Sequence, residues 1–147
     1  MKKTPIHFFS EDINYILKEK TKVRNWIHEV ILKEGYTLHS LNFIFCSDDY
    51  LLKINQDYLK HDTYTDIITF DNSEAEKEIL GDIFISVDRI LENAQKFSVS
   101  TRDETHRIMI HGTLHLLGYK DKSKADKAQM TKKEDESLSL RTFWLIS

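Results

Sequence analysis

The sequence predicts a single α+β domain over residues 1–147, a mixed four-stranded sheet packed with about five helices, with metal-binding histidines on a central buried helix. Three observations carry this. Short β-branched or aromatic runs alternate with stretches of helical periodicity. Neither an internal repeat nor a low-complexity linker divides the chain. Finally, positions 108 to 110, 114, 116 and 117 are all Ile, Met or Leu, which makes that helix apolar nearly all round.

Taken in order, Ile6-His7-Phe8-Phe9 is a short strand with Pro5 at its entrance. Residues 19–34 place Val23, Trp26, Ile27, Val30 and Ile31 on one helical face, and Gly35 follows as a stop. Leu41 to Cys46 is a strand, after which Ser47-Asp48-Asp49 offers an N-cap and an acidic first turn for a helix to about Tyr58. The β-branched run Thr65 to Phe70 and the alternating run Ile79 to Val87 read as antiparallel neighbours across a polar stretch. Asp88 is expected to cap a helix to about Phe97. Thr101-x-x-Glu104 has the spacing of a capping box, so the next helix starts near Ser100 or Thr101 and runs to Leu117. A last helix spans about 124 to 140, and the apolar tail Phe143-Trp144-Leu145-Ile146 is expected to dock on the body.

Composition narrows the class of protein. Apolar residues at 40% and aromatics at 11% suit a globular core. No signal peptide and no run of about 18 apolar residues stands out, so a cytoplasmic protein without a membrane segment is expected. The lone Cys46 lies in an apolar run and reads as a buried, inert thiol. A formal net charge of -3 excludes a protein that coats nucleic acid through bulk positive charge. Locally, however, lysines at 120, 122, 124, 127, 132 and 133 outnumber Asp121 and Asp126. That run is either a solvated helix face or a rim that attracts phosphate.

The chemistry concentrates in His111-Gly112-Thr113-Leu114-His115-Leu116-Leu117-Gly118-Tyr119-Lys120-Asp121. Histidines four apart lie about 40° apart on a helix and can aim at one ion. Most such pairs are ordinary surface or core residues, but unpaired imidazoles are costly in so apolar a helix. Gly118 ends the helix and lets the chain fold back, bringing Asp121 towards a third side of the same ion. Two imidazoles and a carboxylate leave a fourth position open, which is a catalytic pattern for zinc; Fe(II) suits the same donors. A structural zinc asks for thiolates, and the chain has one cysteine. In the H-E-x-x-H peptidase helix a Glu follows the first His as general base, whereas Gly112 stands here. Gly112 points to close approach of another backbone, or to space for substrate beside the ion.

These residues resemble the YbeY family of bacterial metal-dependent endoribonucleases that mature ribosomal RNA. Residues 111 to 119 match its H-G-x-L-H-L-x-G-Y motif, Thr65-Asp66-Ile67-Ile68-Thr69-Phe70 looks like its T-D-V-L-S-F region, and Gly81-Asp82-Ile83-Phe84-Ile85-Ser86 looks like its G-D-I-x-I-S strand. The resemblance covers roughly 50 to 130. It implies a single-strand-specific endoribonuclease acting on the 3′ end of 16S ribosomal RNA and in ribosome quality control. It further implies one zinc per chain on His111 and His115, and ribosomal RNA and the small ribosomal subunit as partners. Two departures stand out. The family's third ligand is His where this chain has Asp121, and its Arg after the Asn-x-x-Tyr segment is Leu59 here. Lys60, His61 and Arg102 are the candidates to supply that positive charge. The competing readings are a ribosome-assembly or RNA-binding factor with a structural metal and, disfavoured by Gly112, a metallopeptidase.

Overall fold

The aromatic and β-branched runs form four strands and the amphipathic stretches five helices, in a computed structural model that describes residues 4–61 and 63–141. In chain order these are β1 (Ile6–Ser10), α1 (Lys20–Lys33), β2 (Thr37–Cys46), α2 (Asp48–Leu59), β3 (Ile67–Asp71), β4 (Glu78–Ser86), α3 (Val87–Lys96), α4 (Thr101–Leu116) and α5 (Lys124–Ser139). The tail from Phe143 to Ile146 lies outside the described residues.

One mixed sheet runs β1-β2-β4-β3. β1 and β4 flank β2 in parallel, and β3 pairs antiparallel with β4, Ile67 opposite Ile85 and Asp71 opposite Gly81. The expected β3/β4 pair is therefore present. β2 begins four residues before the apolar run that marks it, because Thr37, Leu38 and Ser40 pair with β4, with a register shift at His39, where the sheet is still partly exposed and tolerates polar side chains.

Strand alternation divides the core. Leu41, Phe43 and Phe45 of β2 and Ile79, Ile83 and Ile85 of β4 face the main cluster, with Val23, Ile27 and Ile31 of α1 and Ile108, Met109 and Leu114 of α4. The opposite face carries the smaller cluster of Cys46, Leu51, Ile54 and Ile68, with Phe70 and Phe84 packed on it, under α2. Cys46 is fully buried; burial first, then nearby carboxylates, push its thiol up to about 12, so it is the inert residue expected.

Helix α4 is the pivot. It lies against β3 and β4 on one side and carries α3 and α5 on the other. At Gly112 it lies tight against the sheet, since a Cβ there would stand 2.8 Å from Ile67 Cδ1 and 2.9 Å from Ile83 Cγ2. The approach is to side chains of β3 and β4, which corrects the two reasons expected for this glycine, a neighbouring backbone or substrate space. Two caps also differ. Ser86, not Asp88, caps α3 by accepting from the Arg89 N–H, because β4 runs directly into the helix; the Asp88 carboxylate accepts instead from the Asp48 N–H of α2. Ser100, not Thr101, caps α4 by accepting from the Asp103 N–H. The reciprocal capping box sits on α5, between Ser123 and Asp126.

Candidate metal centre

The centre is built by the way α4 ends. Its last turn carries His115, and Gly118, at φ +99, takes the left-handed conformation that an L side chain resists. The Gly118 N–H then donates to His115 O at 3.0 Å and the Tyr119 N–H to Leu114 O at 3.0 Å, a Schellman closure that reverses the chain. Three residues later Asp121 reaches the exposed edge of the helix, with Oδ2 3.3 Å from Nε2 of both His111 and His115. The two Nε2 atoms are 3.1 Å apart. Among the described residues, His111, His115 and Asp121 form the one group whose donor atoms all lie within 4.8 Å of one another.

Both imidazoles are oriented from behind. His115 Nδ1–H donates to Tyr119 O at 3.1 Å, so the turn that delivers Asp121 also sets this ring. His111 Nδ1–H donates to Glu134 Oε2 at 2.5 Å, and the other oxygen of Glu134 accepts from Arg107 Nη1 at 2.8 Å. Glu134 is 7% exposed, and a carboxylate that deep requires such partners. With both Nδ1 atoms donating, each Nε2 turns a lone pair towards Asp121. Three acceptors converging within 3.3 Å repel one another unless a proton or a cation lies among them, so the nitrogen and oxygen set fits a divalent metal. Burial lowers the pKa of His111, but the Glu134 hydrogen bond and the charges of Glu134, Asp121 and Asp66 outweigh it and leave it raised.

Glu134 is the residue that sequence reasoning missed. It sits in the charged run Lys132 to Glu136, and its partner is on another helix. The available signal was the stripe Met130, Glu134, Ser137, spaced four and three and buried throughout. The turn is further clamped by Tyr119, whose hydroxyl donates to Glu34, and by Lys133, 3.4 Å from Glu34 Oε2 and stacked over the Tyr119 ring. Lys133 is thus structurally engaged, while Lys120, Lys122, Lys124, Lys127 and Lys132 are exposed.

The three candidate cations fall in different places. Arg102, in the first turn of α4, pairs with Glu19 at 2.6 Å and is nine residues, about 13 Å of helix rise, from His111. Lys60 caps α2 in the left-handed conformation and is exposed. His61 lines a cleft of about 420 Å³ between α2 and β3, together with Leu59 and Ile67. A second cleft, about 560 Å³, adjoins His115 and is lined by Asp71, Glu74, Glu76 and Glu78.

Fold and triad together define a class: a small α+β domain whose two-histidine, one-carboxylate donor set lies at its surface, suited to metal-assisted hydrolysis. Among the described residues no helix is long and apolar enough to cross a membrane. Residues 6–141 match the family model for endoribonuclease YbeY, and the chain belongs to that family. It is 54% identical over 143 residues to an endoribonuclease YbeY of Cytophaga hutchinsonii, covering 97% of this chain and 100% of that one. It is 52% identical over 132 residues to the endoribonuclease YbeY of Flavobacterium psychrophilum, covering 90% and 94%. The solution structure of a Thermotoga maritima protein superposes with a TM-score of 0.60 at 26% identity, over 91% of this chain and 89% of that one.

Proposed function

We propose that the chain, acting over residues 1–147 as one catalytic domain, is a zinc-dependent endoribonuclease that cuts single-stranded ribosomal RNA. Its place would be the maturation of the 3′ end of 16S ribosomal RNA and ribosome quality control, in the cytoplasm, with the small ribosomal subunit as partner. Hydrolysis of RNA is the activity for which the family and the relatives are named. The observation that carries the metal dependence is the convergence of His111 Nε2, His115 Nε2 and Asp121 Oδ2 with both imidazoles held from behind.

His111, His115 and Asp121 would hold the ion, and zinc so bound lowers the pKa of water and draws charge from a phosphoryl oxygen. Glu134 keeps the His111 lone pair aimed outward and makes it a stronger donor; the Tyr119 carbonyl does the same for His115. Asp121 contributes a negative charge where the family has a neutral imidazole. The exposed lysines that follow Gly118 hold the RNA backbone without reading its sequence. The test is protein stripped with chelator and reloaded with zinc: cleavage of single-stranded RNA is expected only after reloading. Equal cleavage by a His111→Ala, His115→Ala double variant would refute the assignment.

A further inference from the structure

Two clefts differ in the charge of their linings. The one beside His115 presents Asp71, Glu74, Glu76 and Glu78 against the one lysine Lys77, an excess of negative charge that opposes a polyanion. The one between α2 and β3 is bounded by Leu59, His61, Tyr64, Thr65, Ile67 and Thr69, and among the described residues that line it there is no carboxylate, lysine or arginine. Its link towards the metal triad is Ile67, which lines the cleft and whose Cδ1 would lie 2.8 Å from a Cβ on Gly112, the residue after His111.

Its walls are apolar yet open to solvent. Leu59 is 42% exposed and Tyr64 58% exposed. Tyr64 is nonetheless held, because its hydroxyl donates to Asp49 Oδ1 at 3.2 Å, and the loop beneath is tied to α2 by Asn55 Nδ2–H donating to Thr63 O at 2.8 Å. A fixed, exposed aromatic face beside a hydrolytic site is a surface on which a planar, uncharged group stacks. The hydroxyls of Thr65 and Thr69 and the His61 imidazole supply hydrogen-bonding groups around it.

We propose that the α2–β3 cleft seats one nucleobase of the bound RNA strand next to the scissile phosphate, with Tyr64 as stacking face and Leu59 as opposite wall. The position at which the family carries a cation for phosphate thus serves a base in this chain. The inference rests on the endoribonuclease reading above, and it makes Tyr64 a determinant of substrate positioning.

The test walks 2-aminopurine, and separately an abasic nucleotide, through a single-stranded oligoribonucleotide mixed with zinc-loaded protein in a stopped-flow cell. Quenching confined to one position beside the cut is expected, with about tenfold weaker binding when that position is abasic. Tyr64→Ala should abolish both effects, whereas Tyr64→Phe, which keeps the ring but loses the hydroxyl bond to Asp49, should keep the position of the quench with weaker binding. Leu59→Arg should weaken the base signal and steepen the salt dependence by about one phosphate contact. Position-independent quenching, or a Tyr64→Ala protein that behaves as wild type, overturns the base seat. Cleavage is followed in the same samples: absence of zinc-dependent cleavage by the wild type refutes the endoribonuclease reading, whereas intact cleavage without a position-specific base signal refutes the base seat alone.

Discussion

Glu134→Gln isolates the support behind His111. Glu134 serves two donors at once, His111 Nδ1–H at Oε2 and Arg107 Nη1–H at Oε1. Glutamine has the same shape but offers one acceptor and one NH2 group, so whichever way it turns, one of those donors meets another donor. A hydrogen bond to a charged group contributes about 1.5–3 kcal/mol, and leaving a buried donor unmade costs a similar amount. If the lost interaction is felt wholly at the metal, about 1.4 to 2.7 kcal/mol corresponds to a 10- to 100-fold loss of zinc affinity, the range expected for removing a group that orients a ligand. Because Arg107 keeps its second contact, Nη2 to Asp135 at 2.8 Å, α5 should stay docked on α4. The assay is competition for zinc against a chromophoric chelator, with thermal unfolding of the metal-free protein in parallel. Zinc affinity within twofold of wild type, with α5 intact, would show that Glu134 is only a packing residue and would refute the reasoning.

Four further outcomes are expected. Gly112→Ala gains about 1 kcal/mol of helix propensity but forces a Cβ to within 2.8 Å of Ile67, and overpacking of that kind costs about 1–3 kcal/mol; a net loss of up to about 2 kcal/mol should appear in urea denaturation. On the proposed reading Asp121→His exchanges an anionic ligand for a neutral one, so zinc should still bind and the acidic limb of the cleavage pH profile should move to lower pH. His106 is 2% exposed, and burial, then Arg141 and Arg102, lower its pKa to about 4 from 6.5. At His106 the folded state therefore binds fewer protons than the unfolded chain between pH 4 and 6.5, so the contribution of this residue to stability is full above pH 6.5 and falls by about 3 kcal/mol as pH drops through that window. His106→Asn, which keeps an acceptor for the Arg141 N–H 2.8 Å away without titrating there, should flatten that slope in urea midpoints measured against pH.

What could be read in advance was whatever depends on neighbours along the chain. α4 announced itself because apolar residues on nearly every side allow only a central place, and Gly118 announced its end because few residues tolerate φ near +99. The meeting of His111, His115 and Asp121 follows from the same local geometry, four residues of helix and one turn. Glu134 was invisible for the opposite reason: it is 23 residues from His111, and what buries it is the docking of α5 on α4. Gly112 was noticed but its cause was not, since the side chains that exclude a Cβ belong to β3 and β4. The start of α4 was legible, but the caps of α3 and α4 were misassigned by two and one positions because Ser, Thr and Asp compete as caps, and the winner depends on where the preceding strand or turn releases the chain.

The distribution of charge also answers the objection that a chain of net charge -3 is a poor partner for RNA. Net charge governs encounter at a distance, but at about 0.15 M salt interactions fade over some 8 Å, so what meets a docked strand is the local sign. Carboxylates gather on one flank of the centre, at Asp71, Glu74, Glu76 and Glu78 beside His115. The exposed lysines 120, 122, 124 and 127 lie beyond Gly118, and among the described residues that line the α2–β3 cleft beside Ile67 there is no carboxylate, lysine or arginine. On the endoribonuclease reading a strand is excluded from the acidic flank and its phosphates are drawn to the lysine segment, while a base enters the neutral cleft. The sessile charges that lower the overall sign therefore act as a boundary, leaving a path across His111 as the favourable one.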